Sequence, residues 1–477
     1  MPDSLRVLAV VMAAGLGTRM KSRTPKVLHP LCGRPMLAYA LDAVAAATDG
    51  ARPLVVISPA TEAIRAAFAD RADFALQAEP IGSGDAVRAA LSAVGPTQGD
   101  LDEVLVVNGD VPLVDPDALV GVLAARREAD AALALVSVEM FEPGRLGRVV
   151  RGEDGSVERI VEAKDATPDE LAIDEINAGF YAFDAAWLRR RIGDLRPSPV
   201  TGEFYLTDLV AFARADGRAV AAHLVPDDGT LAGINDRAEL AEATAILRER
   251  INVRWMVEGV TMLDQATAFV DATVELAPDV VLEPNVILRG ATRVGEGTVI
   301  GAGSQLVDSV VGAGCRVWAS VLERSEVEDG TTIGPFSHLR AGSSIGPGVE
   351  LGNFAEVKNS RLEAGVKQHH VSYLGDARVG AGTNVGAGTI TANYDGVRKH
   401  RTVIGERVFL GVHTMLRAPV TLGDGAKTGA GAVVTRDVPA GKLAVGMPAR
   451  IREPRPAADA APPDPPGPDP SRTGGAG

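Results

Sequence analysis

Cysteine is almost missing from this chain of 477 residues: there are two, Cys32 and Cys315. They stand far apart and outside any metal-ligand spacing, so both read as reduced thiols of a cytoplasmic protein. Long apolar runs are absent too. None approaches the roughly 20 residues that a membrane-spanning helix needs. Positive charge is in deficit, with 48 Lys and Arg against 62 Asp and Glu and a net charge of −14. That balance argues against a nucleic-acid surface. Anionic phosphate substrates would then need local cationic pockets, which makes Arg19, Lys26 and Lys358 informative. The early apolar stretch is no secretory signal, because Arg6 is its one nearby cation and glycines with Arg19 interrupt it.

What is present begins with Val10-Val11-Met12-Ala13-Ala14-Gly15-Leu16-Gly17-Thr18-Arg19-Met20, followed by Pro25-Lys26. An apolar strand runs into a loop of small residues, where backbone N–H groups can crowd an anion. A helix starting near Thr18 would add its positive end. Arg19 and Lys26 can neutralise phosphates lying across the loop. No Gly-Lys-Ser/Thr follows, so this is not the Walker pattern. The string closely resembles the opening motif of sugar-nucleotide pyrophosphorylases.

The length exceeds what one core can serve, so two or three domains are expected. Up to residue 235, apolar runs alternate with amphipathic segments. Val7–Met12, Leu54–Ile57, Val104–Val107 and Ala132–Val138 read as strands, Leu37–Ala47 and Ala118–Ala129 as helices. This order predicts a Rossmann-like, mostly parallel α/β sheet with ligands at the strand ends. From 236 to 256, Leu240, Ala243, Leu247, Ile251 and Trp255 recur at helical spacing, predicting a linker helix of roughly 30 Å.

From about 275 to 435 a six-residue period takes over, with aliphatic-Gly pairs such as Val294-Gly295, Ile300-Gly301, Ile333-Gly334, Val385-Gly386 and Leu422-Gly423. Such hexapeptide repeats read as a parallel β-helix in which a stack of inward aliphatics fills a three-sided prism. Two stretches break the phase, near 353–373 and 391–402, and interruptions of a solenoid are where loops and function sit. Residues 453–477 turn to Pro, Ala, Asp and Gly and read as a disordered tail.

In the first domain, Gly109-Asp110-Val111-Pro112 follows a strand and sets a carboxylate at its end. One carboxylate plus substrate phosphates is a usual Mg²⁺ environment. In order along the chain come Gln77-Ala78-Glu79 with Gly82-Ser83-Gly84, Glu162-Ala163-Lys164-Asp165-Ala166, Glu175-Ile176-Asn177-Ala178-Gly179, Gly202-Glu203-Phe204-Tyr205-Leu206-Thr207-Asp208 and Gly233-Ile234-Asn235-Asp236-Arg237. Together with the β-helix, these resemble the family of bacterial bifunctional N-acetylglucosamine-1-phosphate uridylyltransferase/glucosamine-1-phosphate N-acetyltransferases, over residues 7 to about 450.

The resemblance implies a uridylyltransferase domain at 1–235, the linker helix at 236–256 and a left-handed β-helix acetyltransferase domain at 257–452. It assigns Met12, Ala13, Ala14, Gly15, Lys26, Gln77, Gly82 and Ser83, with Asn108 and Gly109, to the uridine nucleotide. Gly147, Glu162, Asn177 and Thr207 fall to the amino-sugar phosphate, and Asp110 with Asn235 to Mg²⁺. Arg19 and Lys26 would offset developing charge as the sugar phosphate attacks the α-phosphorus of UTP. The family often has Tyr where Asn108 stands, and Gly-Tyr-Gly where Arg145-Leu146-Gly147 stands.

Five of the seven histidines lie in the β-helix: His338, His369, His370, His400 and His413. Amide formation from acetyl-CoA needs a base, and histidine titrates in the right range. His370 sits in Lys367-Gln368-His369-His370-Val371-Ser372-Tyr373-Leu374-Gly375-Asp376, which resembles the family's Lys-x-x-His-Leu-Ser/Thr-Tyr-x-Gly-Asp; His370 is therefore the candidate base. A zinc site needs three converging imidazoles, and adjacent His369 and His370 on an extended chain would point to opposite faces. The resemblance gives Arg340, Lys358, Tyr373 and Asn384 to the sugar phosphate. It gives Ala387, Asn393, Tyr394, Val412, Ala430 and Met447 to acetyl-CoA, although the family usually has Ser at the position of Val412 and often Arg at that of Met447. It further implies a cytoplasmic homotrimer feeding peptidoglycan and, in some bacteria, lipopolysaccharide, with no nucleic-acid or membrane partner. A second reading keeps the uridylyltransferase and makes the β-helix a trimerisation scaffold.

Overall fold

The computed structural model describes residues 5–95 and 101–453. The tail expected at 453–477 thus lies, beyond its first residue, outside the described residues. The chain divides into two compact units, up to Ile251 and from Asn252 onward.

In the first unit the expected strands form; Glu103–Asn108 extends one residue beyond the apolar run at each end, and Leu133–Glu139 is shifted by one residue from the expected strand. Among the described residues the sheet order is Val220–Val225, Leu133–Glu139, Glu175–Asp184, Glu103–Asn108, Val7–Met12, Leu54–Ile57 and Asp73–Leu76. Pairing is parallel except around Glu175–Asp184, which runs antiparallel to both neighbours. Val7–Met12 lies between Leu54–Ile57 and Glu103–Asn108. The chain therefore leaves its first strand to one side and returns on the other. That reversal opens a crevice at the carboxyl ends of the strands, where α/β sheets bind ligands. Helices Met36–Ala47, Ser83–Val94 and Pro116–Glu128 cover the sheet. Val10, Val11, Val55, Val106 and Val107 are fully buried, as strands covered on both faces must be.

The linker helix is Arg237–Val257. Asp236 accepts from the Ala238 and Glu239 N–H groups, which sets its start. Ala243, Leu247, Ile251 and Trp255 are buried and Leu240 half-buried, as their spacing predicts.

The second unit carries three ladders of twelve, ten and nine strands among the described residues. They are parallel apart from the last pair, Leu443–Val445 with Arg450–Arg452. Each turn of chain contributes one short strand to each ladder, which is a parallel β-helix. Its inward positions, among them Leu288, Ile300, Val317, Leu322, Ile333, Leu339, Ile345 and Leu410, are all fully buried. The ladders extend further than the repeat does, starting at Thr261–Met262 and ending at Arg450–Arg452.

The two expected interruptions have different outcomes. Around 353–373 the winding continues: Ala355–Lys358 stacks in register on Ser372–Gly375, and Val357, Leu362 and Leu374 keep pointing inward. The phase looks broken because fully buried Gln368 occupies an inward place. Around 391–402 an extra loop does emerge. One turn advances from Lys367 to Asn384, the next from Asn384 to Phe409. A bridge between Tyr394 and Lys399 closes the added segment.

Candidate functional site

Two cavities, of about 300 and 250 Å³, open at the strand ends of the first unit. Both are lined by Asn108 and Asp110, which stand where they meet. The smaller is walled by Met12, Ala13, Ala14, Gly15, Lys26, Gln77, Gly82 and Ser83, the set expected to hold a nucleotide. The larger is walled by Gly147, Glu162, Asn177 and Asn235, and by the 226–233 loop.

The loop after the first strand departs from expectation at one point. Thr18–Met20 is a single 3-10 turn rather than the start of an α-helix, so this turn brings no helix macrodipole to the cavity; the α-helix that starts at its wall is Ser83–Val94. Arg19 lies exposed on that turn and is not part of either cavity wall. Gly17 explains the tightness. It has φ of +58°, and a Cβ there would lie 2.7 Å from Lys26 Cβ. The missing side chain lets Lys26 fold back against the loop.

Lys26 is then the cation at the centre. Its Nζ donates to Asp110 Oδ2 at 2.5 Å and to Asn235 Oδ1 at 3.2 Å. Asn235 is aimed there by the linker helix's first turn, where Glu239 accepts from the Asn235 N–H. A carboxylate oxygen and an amide oxygen thus converge on one positive charge. That donor set suits Mg²⁺, which takes one or two such oxygens and completes its shell with water and phosphate.

The segment expected at the nucleotide is braced by hydrogen bonds. Gln77 Nε2 donates to Gly82 O and Asp85 Oδ2, and the Leu206 N–H donates to Ser83 Oγ. Gly82, at φ +116°, packs so closely that a Cβ would stand 2.4 Å from Phe204 O. Glu203, on the same segment, reaches the smaller cavity. It lay within a quoted motif without an assigned role.

Glu162 lines the larger cavity, and buried Thr207, outside its wall, donates from Oγ1 to Glu162 Oε1 at 3.3 Å. Burial raises the Glu162 carboxyl above the ordinary glutamate range, and nearby Asp165 and Asp208 push the same way. Asn177 sits where Glu175–Asp184 shifts register. Its Nδ2 donates to the buried Tyr181 hydroxyl at 2.6 Å, and its Oδ1 accepts from the Gly179 N–H. Tyr181, whose phenol burial pushes up, was not singled out from sequence.

In the second unit a groove of about 610 Å³ is walled by His369, His370, Asn384, Ala387, Val412 and Ala430, with Phe409 to Gly411 and Thr428 to Gly429. It gathers the candidate base with three of the six residues expected at the acyl donor, Ala387, Val412 and Ala430, while Asn393 and Tyr394 lie outside its wall. Asn384, expected with the sugar phosphate, lines this groove. Val412 puts an isopropyl group into the wall where a hydroxyl was expected from the resemblance. Met447 is largely exposed and lies outside the groove wall.

The cations gather on the ladder of His338–Leu339, Ala355–Lys358, Ser372–Gly375 and Ile390–Ala392. Lys399, then Arg340, crowd Lys358 and hold its ammonium below the ordinary lysine value, against the opposing pull of Asp376. Lys399 reaches this place from the extra loop, and sequence reading missed it. Tyr373 stands on the same ladder, level with Glu356 and Ile390. Asn393 Nδ2 donates to Asp376 Oδ2, while Tyr394 is exposed with its hydroxyl on Gly396 O. His369 Nε2 lies 2.7 Å from Glu350 Oε2, and its ring stands edge-on to His370, 6.4 Å between centroids. Among the described residues no group of three or more His, Cys, Asp and Glu side chains is arranged to hold a metal ion.

A crevice at a topological switch point, lined by a small-residue loop and a lysine–carboxylate pair, joined to a hexapeptide β-helix with a histidine groove, defines a nucleotidyltransferase unit followed by an acyltransferase-type solenoid. Residues 9–153 match the MobA-like NTP transferase domain family. Residues 324–359 and 401–436 match the family described as bacterial transferase hexapeptide (six repeats). The bifunctional protein GlmU of Sorangium cellulosum is 46% identical, over 92% of this chain and 93% of that one. Those of Pelobacter propionicus and Shouchella clausii are 44% and 38% identical, over 92% and 93% of this chain and 95% and 97% of theirs. The chain belongs to the bifunctional GlmU family.

Proposed function

We propose that the protein builds UDP-N-acetylglucosamine in two steps. The β-helix acetylates glucosamine-1-phosphate from acetyl-CoA, and the α/β unit then transfers a uridylyl group from UTP to N-acetylglucosamine-1-phosphate, releasing pyrophosphate. One observation carries the reading: a single chain, alike over nine-tenths of its length to proteins named bifunctional, has both a phosphate-type crevice and a histidine groove.

In uridylyl transfer the smaller cavity takes the nucleotide against Met12 to Gly15, with Gln77, Gly82 and Ser83 around it, and the larger takes the sugar phosphate between Gly147, Glu162, Asn177 and Thr207. The attacking phosphate oxygen and the α-phosphorus meet near Asp110, where the cavities join. Little covalent help is needed, so catalysis is positioning plus charge. Lys26 offsets negative charge as pyrophosphate departs, and exposed Arg19 is available to the outer phosphates. Asp110 and Asn235 would hold Mg²⁺, which when bound supplies further charge neutralisation at the phosphates.

In acetyl transfer His370 takes a proton as the sugar amine attacks the thioester carbonyl, and the CoA thiolate leaves. Arg340, Lys358 and Lys399 hold the sugar's phosphate; Ala387, Val412 and Ala430 pack along the acyl donor. The working form is a homotrimer in the cytoplasm, and the exposed Phe336, Phe354 and Val371 offer apolar surface for contacts between copies.

The test is to follow thiol release from acetyl-CoA with glucosamine-1-phosphate, and pyrophosphate release from UTP with N-acetylglucosamine-1-phosphate, in wild type and His370→Ala. Thiol release lost in His370→Ala with pyrophosphate release kept supports the reading. Absence of thiol release from the folded wild type would reduce the β-helix to a scaffold.

A further inference from the structure

The inward ladder of the β-helix holds a primary amide next to the groove. Gln368 is fully buried, with Leu351 as its ladder neighbour and Leu362 and Leu374 as the inward residues before and after it. Its Nε2 donates to Ser372 Oγ at 2.9 Å. Ser372, itself buried, donates its hydroxyl proton to the His370 carbonyl at 2.7 Å. Gln368 Oε1 has no hydrogen-bond partner among the described residues.

A buried amide with an unmet acceptor costs stability, whereas an aliphatic side chain of similar volume would continue the ladder without that cost. Packing therefore does not account for glutamine here. The hydrogen bonds do have a geometric result. A serine hydroxyl is a free rotor, and a donor on its lone pair turns the O–H away from that side. With Gln368 on one side, the proton points to His370 O on the other. The corner 369–371 is thereby tied at both ends, by the strand Lys367–Gln368 entering it and by Ser372 leaving it. That corner carries His370 into the groove.

We infer that Gln368 and Ser372 are positioning residues for acetyl transfer. They lock the His370 peptide and so fix the direction from which the imidazole meets the amine. Both are buried, so they act through His370. The inference rests on the reading of His370 as the base.

The experiment uses the full chain and compares Gln368→Leu, Ser372→Ala, Ser372→Thr and His370→Ala. Each is assayed for thiol release, pyrophosphate release and thermal unfolding. Gln368→Leu is expected to unfold at the wild-type temperature or above, because the ladder becomes aliphatic. Its kcat for thiol release falls roughly tenfold, a modest share of what misplacing a reacting group can cost. KM for both acetyl-transfer substrates stays within about twofold, since neither residue contacts them, and pyrophosphate release is unchanged. Ser372→Ala shows the same kcat loss, and Ser372→Thr, which keeps the hydroxyl, restores most of it. Wild-type kcat in Gln368→Leu or Ser372→Ala overturns the inference, as does a loss seen in KM or unfolding temperature alone. If Gln368→Leu does not fold, the Ser372 pair decides. If His370→Ala itself keeps wild-type thiol release, the base assignment fails and takes the inference with it. If His370→Ala is dead while the other variants run normally, the inference fails alone.

Discussion

Replacing Asp110 by asparagine keeps the side chain's shape and removes its charge at the junction of the two cavities. The structural cost can be bounded. A hydrogen bond between charged groups contributes about 1.5–3 kcal/mol. The Lys26 and Asp110 side chains are 12% and 26% exposed, so water screens part of that. Asparagine would still offer Lys26 an acceptor. The net loss is then about 1 kcal/mol, or about 2–4 °C in the unfolding of a unit this large. Losing that amount leaves almost every molecule folded. In the proposed reaction the catalytic cost is far larger, because Asp110 holds Lys26 and would hold Mg²⁺ where charge develops. Removing one such anchored group costs about 10²–10³ in kcat. Pyrophosphate release from UTP and N-acetylglucosamine-1-phosphate, followed with a coupled phosphate assay, should drop by at least that factor, with thiol release from acetyl-CoA untouched. A fall of less than tenfold, or an equal fall in both activities at normal unfolding temperature, would refute the reasoning.

Three further outcomes are expected. Gly82→Ala places a methyl group against the Phe204 backbone at a positive φ; about 1–3 kcal/mol of local strain should raise KM for UTP in steady-state kinetics while acetyl transfer is kept. Leu322→Ala empties a fully buried ladder position between Leu306 and Leu339. It should cost about 2–5 kcal/mol in denaturant unfolding, whereas Val310→Ala, 42% exposed, stays within about 0.5 kcal/mol. The third concerns pH. Burial raises the Glu162 carboxyl above its unfolded value, so the folded state binds the proton more tightly. Stability is greatest below the unfolded value of about 4.3 and declines as pH rises through the folded one. Glu162→Gln removes this decline, so its unfolding temperature relative to wild type should rise between pH 4 and 7. A constant difference across that range would count against a buried, proton-retaining Glu162.

Much of the architecture was legible because it is periodic. A strand covered on both faces reads as an apolar run, so Val7–Met12 and Leu54–Ile57 could be bounded to the residue. The β-helix announces itself because each aliphatic position repeats the same burial. The phase hid where one inward residue was polar: Gln368 made 353–373 look like an interruption when the winding was intact. The helix expected near Thr18 did not form, because the loop's αL glycine and the return of Lys26 leave room for one 3-10 turn.

What the chain alone determined, then, is local: which residues alternate with which, hence an α/β unit, a linker helix and a hexapeptide solenoid, together with the chemical character of its motifs. Tertiary structure decided which of those motifs meet. Lys26 finds Asp110 and Asn235 across 84 and 209 positions of sequence, and Lys399 joins Lys358 through a loop whose path no periodicity encodes. Arg19, two residues from Gly17 in the same motif, ends outside both cavities. Burial patterns are written into neighbouring residues because each strand or helix must hide one face. Convergence at a site depends on where separate loops return, which becomes definite when the whole core has packed.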